Sequence, residues 1–122
     1  MPHTILVVDD SPIARKMLIR VLPPSWDVQL IEATSGIEAM AACRSHKIDL
    51  MFLDLTMPDM DGYHVLEAMN KEAIKLPVIV VSADIQPRAR DRVMAAGAVA
   101  FIKKPIDISK LEEVVKLHRI FG

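Results

Sequence analysis

The chain has 122 residues, of which 52% are hydrophobic and 25% are charged, and its formal net charge is −1. A chain of this size can bury a real core, so we expect residues 1–122 to form one domain. The near-neutral balance provides no basic field for nucleic acid, and no apolar run reaches the roughly 18 residues of a membrane span. With no visible secretory signal and with Cys43 as the one cysteine, the sequence predicts a cytoplasmic protein.

Five short apolar runs recur along the chain, and the segments between them have helical spacing. The first run precedes Ser11, a good N-cap, and Pro12, which fits the first position of a helix that ends before Pro23. The second helix opens with the capping-box pattern of Ser35 and Glu38 and should run to about residue 46. In the first helix one apolar face is predicted: Ile13, Ala14, Met17, Leu18, Val21 and Leu22.

The later helices show the same kinds of signal. The third is predicted to begin after Gly62, the fourth to run from about Pro87 to Gly97, and the fifth to begin at the capping-box pattern of Ser109 and Glu112. Since the strands are apolar with little alternation, they are predicted to be parallel and buried on both faces. The sequence therefore predicts an α/β fold, a three-layer doubly wound (βα)5 sandwich with a five-stranded parallel sheet. The residues predicted to face inward from the third, fourth and fifth helices are Val65, Leu66, Met69, Ala89, Val93, Ala96, Leu111, Val114, Val115 and His118.

Polar residues stand where the predicted strands end. Strand 1 ends at Asp9 and Asp10, strand 3 at Asp54, strand 4 at Ser82 and Ala83, and strand 5 just before Lys103, Lys104 and Pro105. The carboxyl ends of parallel strands share one edge of the sheet, where ligands bind. We therefore expect three carboxylates, a hydroxyl and an ammonium group to meet there.

This set of groups suits phosphoryl transfer. Three carboxylates in one crevice raise each other's pKa, and a divalent cation relieves their repulsion. The all-oxygen donor set favours Mg²⁺ over zinc, with Mn²⁺ as a second candidate. Lys104 can supply a positive charge and Ser82 a hydroxyl to phosphate oxygens, while Asp54 is left as a nucleophile that forms an aspartyl phosphate.

Taken together, these strand-end residues resemble those of a known family. They resemble the receiver domain of bacterial two-component response regulators, in particular the single chemotaxis receiver. The resemblance runs from "ILVVDDS" through "DLMFLDLTMPDMDG" and "PVIVVSA" to "GAVAFIKKPID", and so spans the whole chain. It implies the flavodoxin-like strand order 2-1-3-4-5 and a phosphorylation-activated switch. Asp54 would accept a phosphoryl group, in a Mg²⁺-dependent reaction, from the phosphohistidine of a sensor histidine kinase or a histidine phosphotransfer protein, or from a small donor such as acetyl phosphate.

The resemblance also implies roles for single residues of the metal site. Asp10 and Asp54 would ligate Mg²⁺ together with the backbone carbonyl of Thr56, and Asp9 would act mainly through a metal-bound water. Thr56 and Asp84 occupy the two variable positions that tune dephosphorylation in the family. The carboxylate of Asp84 either orients or repels the attacking water.

The lysine and the switch positions follow from the same resemblance. Lys104 matches the family lysine, and its bond to Pro105 is expected to be cis. Alternation along the strand should turn Lys103 away from the site. Ser82 and Phe101 match the two switch positions, although Phe101 lacks the hydroxyl of the commoner tyrosine. Through them, phosphorylation would remodel the surface of helix 4, strand 5 and helix 5 and control a downstream protein or output domain.

Three other functions stay open on the sequence. A Mg²⁺-dependent phosphohydrolase would use the same aspartyl phosphate, but Thr56 stands where such enzymes often carry a second Asp. A receiver-like scaffold would bind partners without phosphorylation, and a DNA-binding regulator would need a helix-turn-helix, which does not follow here. We expect a module that catalyses only its own phosphorylation and dephosphorylation, without nucleic-acid or membrane contact, as a monomer or weak phosphorylation-dependent dimer. It would be a stand-alone receiver or the N-terminal part of a longer chain.

Overall fold

Strands and helices alternate along the chain in the computed structural model, which describes residues 2–57, 60–83, 86–117 and 120. Within these residues the strands are β1 His3–Val8, β2 Val28–Ala33, β3 Leu50–Leu53, β4 Val78–Ser82 and β5 Ala100–Lys103. The helices are α1 Pro12–Val21, α2 Gly36–Ser45, α3 Gly62–Lys71, α4 Pro87–Ala95 and α5 Ile108–Leu117. None of these helices has the length and apolar character required to cross a membrane.

The strands form one parallel sheet in the order β2-β1-β3-β4-β5. The central strand β1 pairs with β2 on one side and with β3 on the other, so that Val8 lies opposite both Ala33 and Leu53. The last residues of these three strands are therefore level with one another at the carboxyl edge of the sheet. The α/β class, the doubly wound parallel sheet and the strand order are confirmed.

The hydrophobic core lies on both faces of the sheet. Helices α2, α3 and α4 cover one face and α1 and α5 cover the other. Successive strand residues point to opposite faces, so Leu6 and Val8 enter the first core layer while Ile5 and Val7 enter the second. Because both faces are covered, the strands are apolar at successive positions instead of alternating.

The predicted inward faces of the helices are confirmed for α3, α4 and α5 and need correction for α1. In α1, Leu18 is buried, but Ile13 is 71% exposed and Met17 is 52% exposed. The six apolar residues cover a wider arc of the helix than the sheet contacts, so one flank faces solvent. His118, also predicted to face inward, lies outside the described residues.

The N-termini of the first three helices carry side-chain caps. The hydroxyl of Ser11 accepts a hydrogen bond from the Ala14 N–H at 3.2 Å, and that of Ser35 accepts one from the Glu38 N–H at 3.1 Å. Asp61 caps α3 by accepting from the His64 N–H at 3.0 Å. Each cap satisfies one of the backbone donors that the first turn of a helix leaves free.

Two predicted helix boundaries are wrong by one or two residues. Helix α4 ends at Ala95 because Gly97, at φ +109°, takes the left-handed conformation that ends helices. Helix α5 begins before Ser109, since Asp107 caps it: its carboxylate accepts from the Ser109 N–H at 2.8 Å and its carbonyl from the Leu111 N–H. A side chain two residues earlier therefore takes the capping role predicted for Ser109.

Gly62, the first residue of α3, allows this helix to approach the end of β3. A methyl group there would lie 2.7 Å from the carbonyl oxygen of Asp54 and 2.9 Å from the Leu55 side chain. We expect Gly62→Ala to lower the free energy of unfolding by about 1–3 kcal/mol, measured by urea denaturation, because the backbone of Asp54 must shift. Glu67→Ala, on the exposed side of the same helix, is the control and should stay within about 0.5 kcal/mol of the parent. An unchanged free energy of unfolding in Gly62→Ala would show that the backbone after β3 can shift at little cost.

Candidate functional site

Two acidic residues lie directly beyond adjacent strands of the sheet. The Asp9 N–H donates to the carbonyl of Ala33 at 3.1 Å, and the Asp54 N–H donates to the carbonyl of Val8 at 3.0 Å. The sheet's hydrogen bonding thus continues one residue past β1 and β3 and holds both backbones. Asp9 is 6% exposed and Asp54 is 7% exposed, whereas Asp10 is open to solvent. Carboxylate oxygens of the three residues lie within 4.8 Å of one another.

Lys104 brings a positive charge to these acids from the end of β5. Its Nζ lies 2.8 Å from Asp9 Oδ2 and 3.5 Å from Asp54 Oδ1. Its backbone N–H donates to the carbonyl of Ser82 at 2.9 Å, and its bond to Pro105 is cis, as expected. Lys103 is exposed and borders a different groove, with residues of α4 and α5, so the prediction that it turns away is confirmed.

The ionisation of Asp54 reflects competing influences. Burial raises the pKa of its carboxyl most, and the charge of Asp9 raises it further. The Lys104 ammonium and a hydrogen bond from the Thr56 backbone lower this pKa but do not cancel the rise. Burial alone would lower the pKa of Lys104, but the hydrogen bond to Asp9 and the charges of Asp54 and Asp9 raise it overall. The positive charge of Lys104 therefore only partly offsets the burial of Asp54 and the neighbouring charge of Asp9.

The donor set fits a hard divalent cation. All three ligand groups are carboxylates, which suit Mg²⁺. They are not equally available: Asp9 Oδ1 accepts from the Ser11 N–H at 2.9 Å, and its Oδ2 is held by Lys104. The Asp10 carboxylate has no hydrogen-bond or ion-pair partner in the part of the chain that the structure describes. Asp9 is thus the most firmly engaged of the three, and Asp54 is engaged more weakly, by Lys104 at 3.5 Å and by the Thr56 backbone.

The remaining predicted residues lie at different distances from this cluster. Ser82 is buried at the end of β4, on the same edge of the sheet. Thr56 is exposed, two residues beyond Asp54. Phe101 lies inside β5 opposite Val80 and packs against the core layer under α4, so it is not part of the acid cluster. Asp84 lies outside the described residues.

Two features near the cluster were not predicted. An apolar cavity of about 300 Å³ opens beside the acids, between α1 and the segment containing Pro105 and Ile106. Arg15 in α1 donates from Nη1 to the carbonyl oxygen of Asp9 at 2.7 Å. In the sequence, the one signal for Arg15 is a basic residue in the helix that follows the acid pair. Such residues are common on solvated helix faces, so the signal is weak.

Comparisons with known proteins agree on one family. The sequence model of the response regulator receiver domain matches residues 5–116. The chemotaxis protein CheY of Bacillus subtilis is 32% identical over 115 residues, which cover 94% of this chain and 96% of CheY. The sensor histidine kinase RcsC of Escherichia coli is 32% identical over 114 residues, 93% of this chain, but the chain spans only 12% of the length of RcsC.

A solved structure shows the same architecture. In the CheX–CheY–BeF3–Mg²⁺ complex from Borrelia burgdorferi, the matched chain has a TM-score of 0.88 and 32% identity, with 98% of this chain and 90% of that chain covered. The match therefore extends over the whole sheet and its helices, including the strand ends that carry the acids and the lysine. This chain belongs to the response regulator receiver domain family.

Proposed function

We propose that residues 1–122 act as one phosphorylation-driven switch in which Asp54 accepts the phosphoryl group. One observation carries this proposal: a buried carboxylate at a strand end faces two further acids and a lysine ammonium 3.5 Å away. Receiver domains of this kind take phosphoryl groups from histidine kinases. The donor proposed here is the phosphohistidine of such a kinase or of a histidine phosphotransfer protein, with small acyl phosphates as substitutes.

The proposed transfer converts a P–N bond into a P–O bond. A carboxylate oxygen of Asp54 attacks phosphorus, the bond to the donor imidazole breaks, and its electron pair stays on the ring nitrogen. Lys104 is placed to pair with a phosphoryl oxygen, and the Ser82 hydroxyl would donate to another. Mg²⁺, held by Asp10, Asp54 and the Thr56 carbonyl, would supply the neutralising charge that this transfer needs.

The proposed output follows from the pairing of β4 with β5. Ser82 lies opposite Lys103, and Lys103 is two residues beyond Phe101 in β5. The carbonyl of Ser82 accepts from the Lys104 N–H. A movement of Ser82 toward a phosphoryl group would therefore be passed directly to β5. Phe101 borders the groove between α4, β5 and α5, and its inward turn would change the surface offered to a downstream protein. Dephosphorylation would then reset the switch, at a rate tuned by Thr56 and Asp84.

The test is to label the whole chain with acetyl phosphate and to map the modified residue. One phosphoryl group is expected, it should depend on Mg²⁺, and borohydride reduction of the acyl phosphate should convert Asp54 alone to homoserine. Homoserine at another aspartate would overturn the assignment of the acceptor. Continuous release of phosphate from small esters, without accumulation of labelled protein, would favour the phosphohydrolase instead.

A further inference from the structure

Arg15 links three elements beside the acid cluster. From α1, its Nε donates to Glu32 Oε1 in β2 at 2.9 Å, and its Nη1 donates to the carbonyl oxygen of Asp9, beyond β1, at 2.7 Å. The Arg15 side chain is 13% exposed, so this guanidinium is held among protein groups. A planar guanidinium donates to two acceptors from two nitrogens in fixed directions, whereas the donors of an ammonium group all lie on one nitrogen.

The carbonyl that Arg15 holds belongs to the peptide that joins Asp9 to Asp10. The orientation of this peptide determines where the Cα of Asp10 lies. The Asp9 side chain has its own supports, since it accepts from the Ser11 N–H and from Lys104. The Asp10 carboxylate has no comparable partner within the described residues. Its position therefore depends on its backbone. The Ser11 N–H bond to the Asp9 carboxylate restrains that backbone on one side, and Arg15 holds the carbonyl of the peptide itself.

The positive charge of Arg15 and its hydrogen bonds are expected to have opposite effects on Mg²⁺ binding. Considered as a charge alone, a guanidinium near three carboxylates competes with a bound cation, although Glu32 offsets it. Removing Arg15 would then strengthen metal binding. If Arg15 acts by positioning, its removal lets the peptide rotate and weakens metal binding. The two roles thus predict changes of opposite sign.

We propose that Arg15 is a positioning residue of the Mg²⁺ site and holds the peptide between Asp9 and Asp10 in the orientation that lets Asp10 ligate. This inference rests on the proposed function for the identity of the metal. Outer groups that orient ligands in this way typically change metal affinity by about 10–100-fold when they are removed. The expected effect here is at the lower end, since the ligating carboxylates themselves remain.

The experiment measures Mg²⁺ binding by calorimetry on the whole unphosphorylated chain. Arg15→Met and Arg15→Lys should both weaken Mg²⁺ binding, by about tenfold. Methionine has no donor, and the single nitrogen of lysine cannot occupy the positions of both Nε and Nη1. Glu32→Gln weakens only the contact between Arg15 and residue 32, so it should weaken Mg²⁺ binding by a smaller factor. Lys16→Met is the matched control: it removes a positive charge from an exposed site on the same helix and should leave the affinity unchanged.

A second readout separates positioning from a general loss of structure. With acetyl phosphate, the Arg15 variants should label slowly at low Mg²⁺ and reach the parent rate at saturating Mg²⁺. Circular dichroism checks that the variants remain folded. Unchanged or tighter Mg²⁺ binding in Arg15→Lys and Arg15→Met, or a rate defect that saturating Mg²⁺ does not restore, would overturn the proposal.

The two proposals can fail separately. If the parent chain binds Mg²⁺ but is not labelled on Asp54, the phosphorylation proposal fails, while the Arg15 effect on Mg²⁺ binding still stands. If the parent chain does not bind Mg²⁺, the positioning role of Arg15 is overturned.

Discussion

Replacing Asp54 with Asn is expected to abolish phosphorylation and, at the same time, to make the domain more stable at neutral pH. Burial and the neighbouring charge of Asp9 raise the pKa of Asp54 above its ordinary value of 3.8. A group whose folded pKa is raised favours folding at low pH, and that contribution is lost as the pH rises through the folded pKa. At pH 7 the ionised Asp54 is therefore a cost, which the neutral and nearly isosteric Asn removes.

Thermal unfolding of the parent and the Asp54→Asn variant checks the stability part of this prediction. We expect the variant to melt about 3–6 °C higher at pH 7, the shift produced by roughly 1 kcal/mol in a domain of this size. The difference should shrink as the pH is lowered, and saturating Mg²⁺ should also reduce it by stabilising the parent. Asp27→Asn, at an exposed acid, is the control and should match the parent. A lower melting temperature for Asp54→Asn would contradict the account of a costly buried charge.

Replacing Lys104 with Met is expected to slow phosphorylation of Asp54 by about 10²–10³-fold, the usual cost of removing a group that stabilises developing charge. Methionine keeps much of the apolar stem and removes the ammonium that lies 2.8 Å from Asp9 and 3.5 Å from Asp54. Rates of labelling by acetyl phosphate at saturating Mg²⁺ give the measurement. Lys103→Met, which removes the adjacent charge on the other face of β5, should retain the parent rate. Equal defects in the two variants would argue against a specific role for Lys104.

The same Lys104 variant should lose stability in the absence of Mg²⁺, since Asp9 and Asp54 are left without their counter-ion. Breaking a buried pair by removing one partner costs about 3–5 kcal/mol, and partial exposure of Lys104 reduces the expected loss to about 1–2 kcal/mol. Because the variant also lacks a charge that competes with the metal, saturating Mg²⁺ should restore its stability but not its rate. That split separates the chemical role of Lys104 from its structural one.

The class of fold and the proximity of the acids to Lys104 could be predicted from the sequence. Unalternating apolar runs separated by helical spacing predict a buried parallel sheet, and parallelism places every carboxyl end at one edge. Asp9, Asp54, Ser82 and Lys104 each follow or end such a run, so their common edge follows from topology alone. Periodicity does not show which strands are neighbours in the sheet. The predicted strand order came from the resemblance to receiver domains.

Other features depend on contacts between elements that are distant along the chain, and these were decided only by the tertiary structure. The pairing of Arg15 with Glu32 joins α1 to β2, and nothing in the local pattern of either segment marks it. The capping of α5 by Asp107 instead of Ser109 is a choice between two good caps that local propensity cannot rank. The raised pKa of Asp54 likewise depends on its burial and on the charge of Asp9, which the fold brings from another strand.

The sequence by itself determined the class of fold, the edge on which the site lies and the chemical groups that meet there. The apolar pattern of each strand and the alternation of strands and helices are both visible along the chain, and together they predict a parallel sheet. The tertiary structure decided which oxygens are free and which are engaged. Asp9 is engaged by Lys104 and by the Ser11 N–H, and its peptide is held by Arg15. Among the residues that the structure describes, none pairs with the Asp10 carboxylate. Hydrogen bonds of this kind depend on ångström-scale distances between separate elements, and such distances exist only once the sheet and its helices are packed.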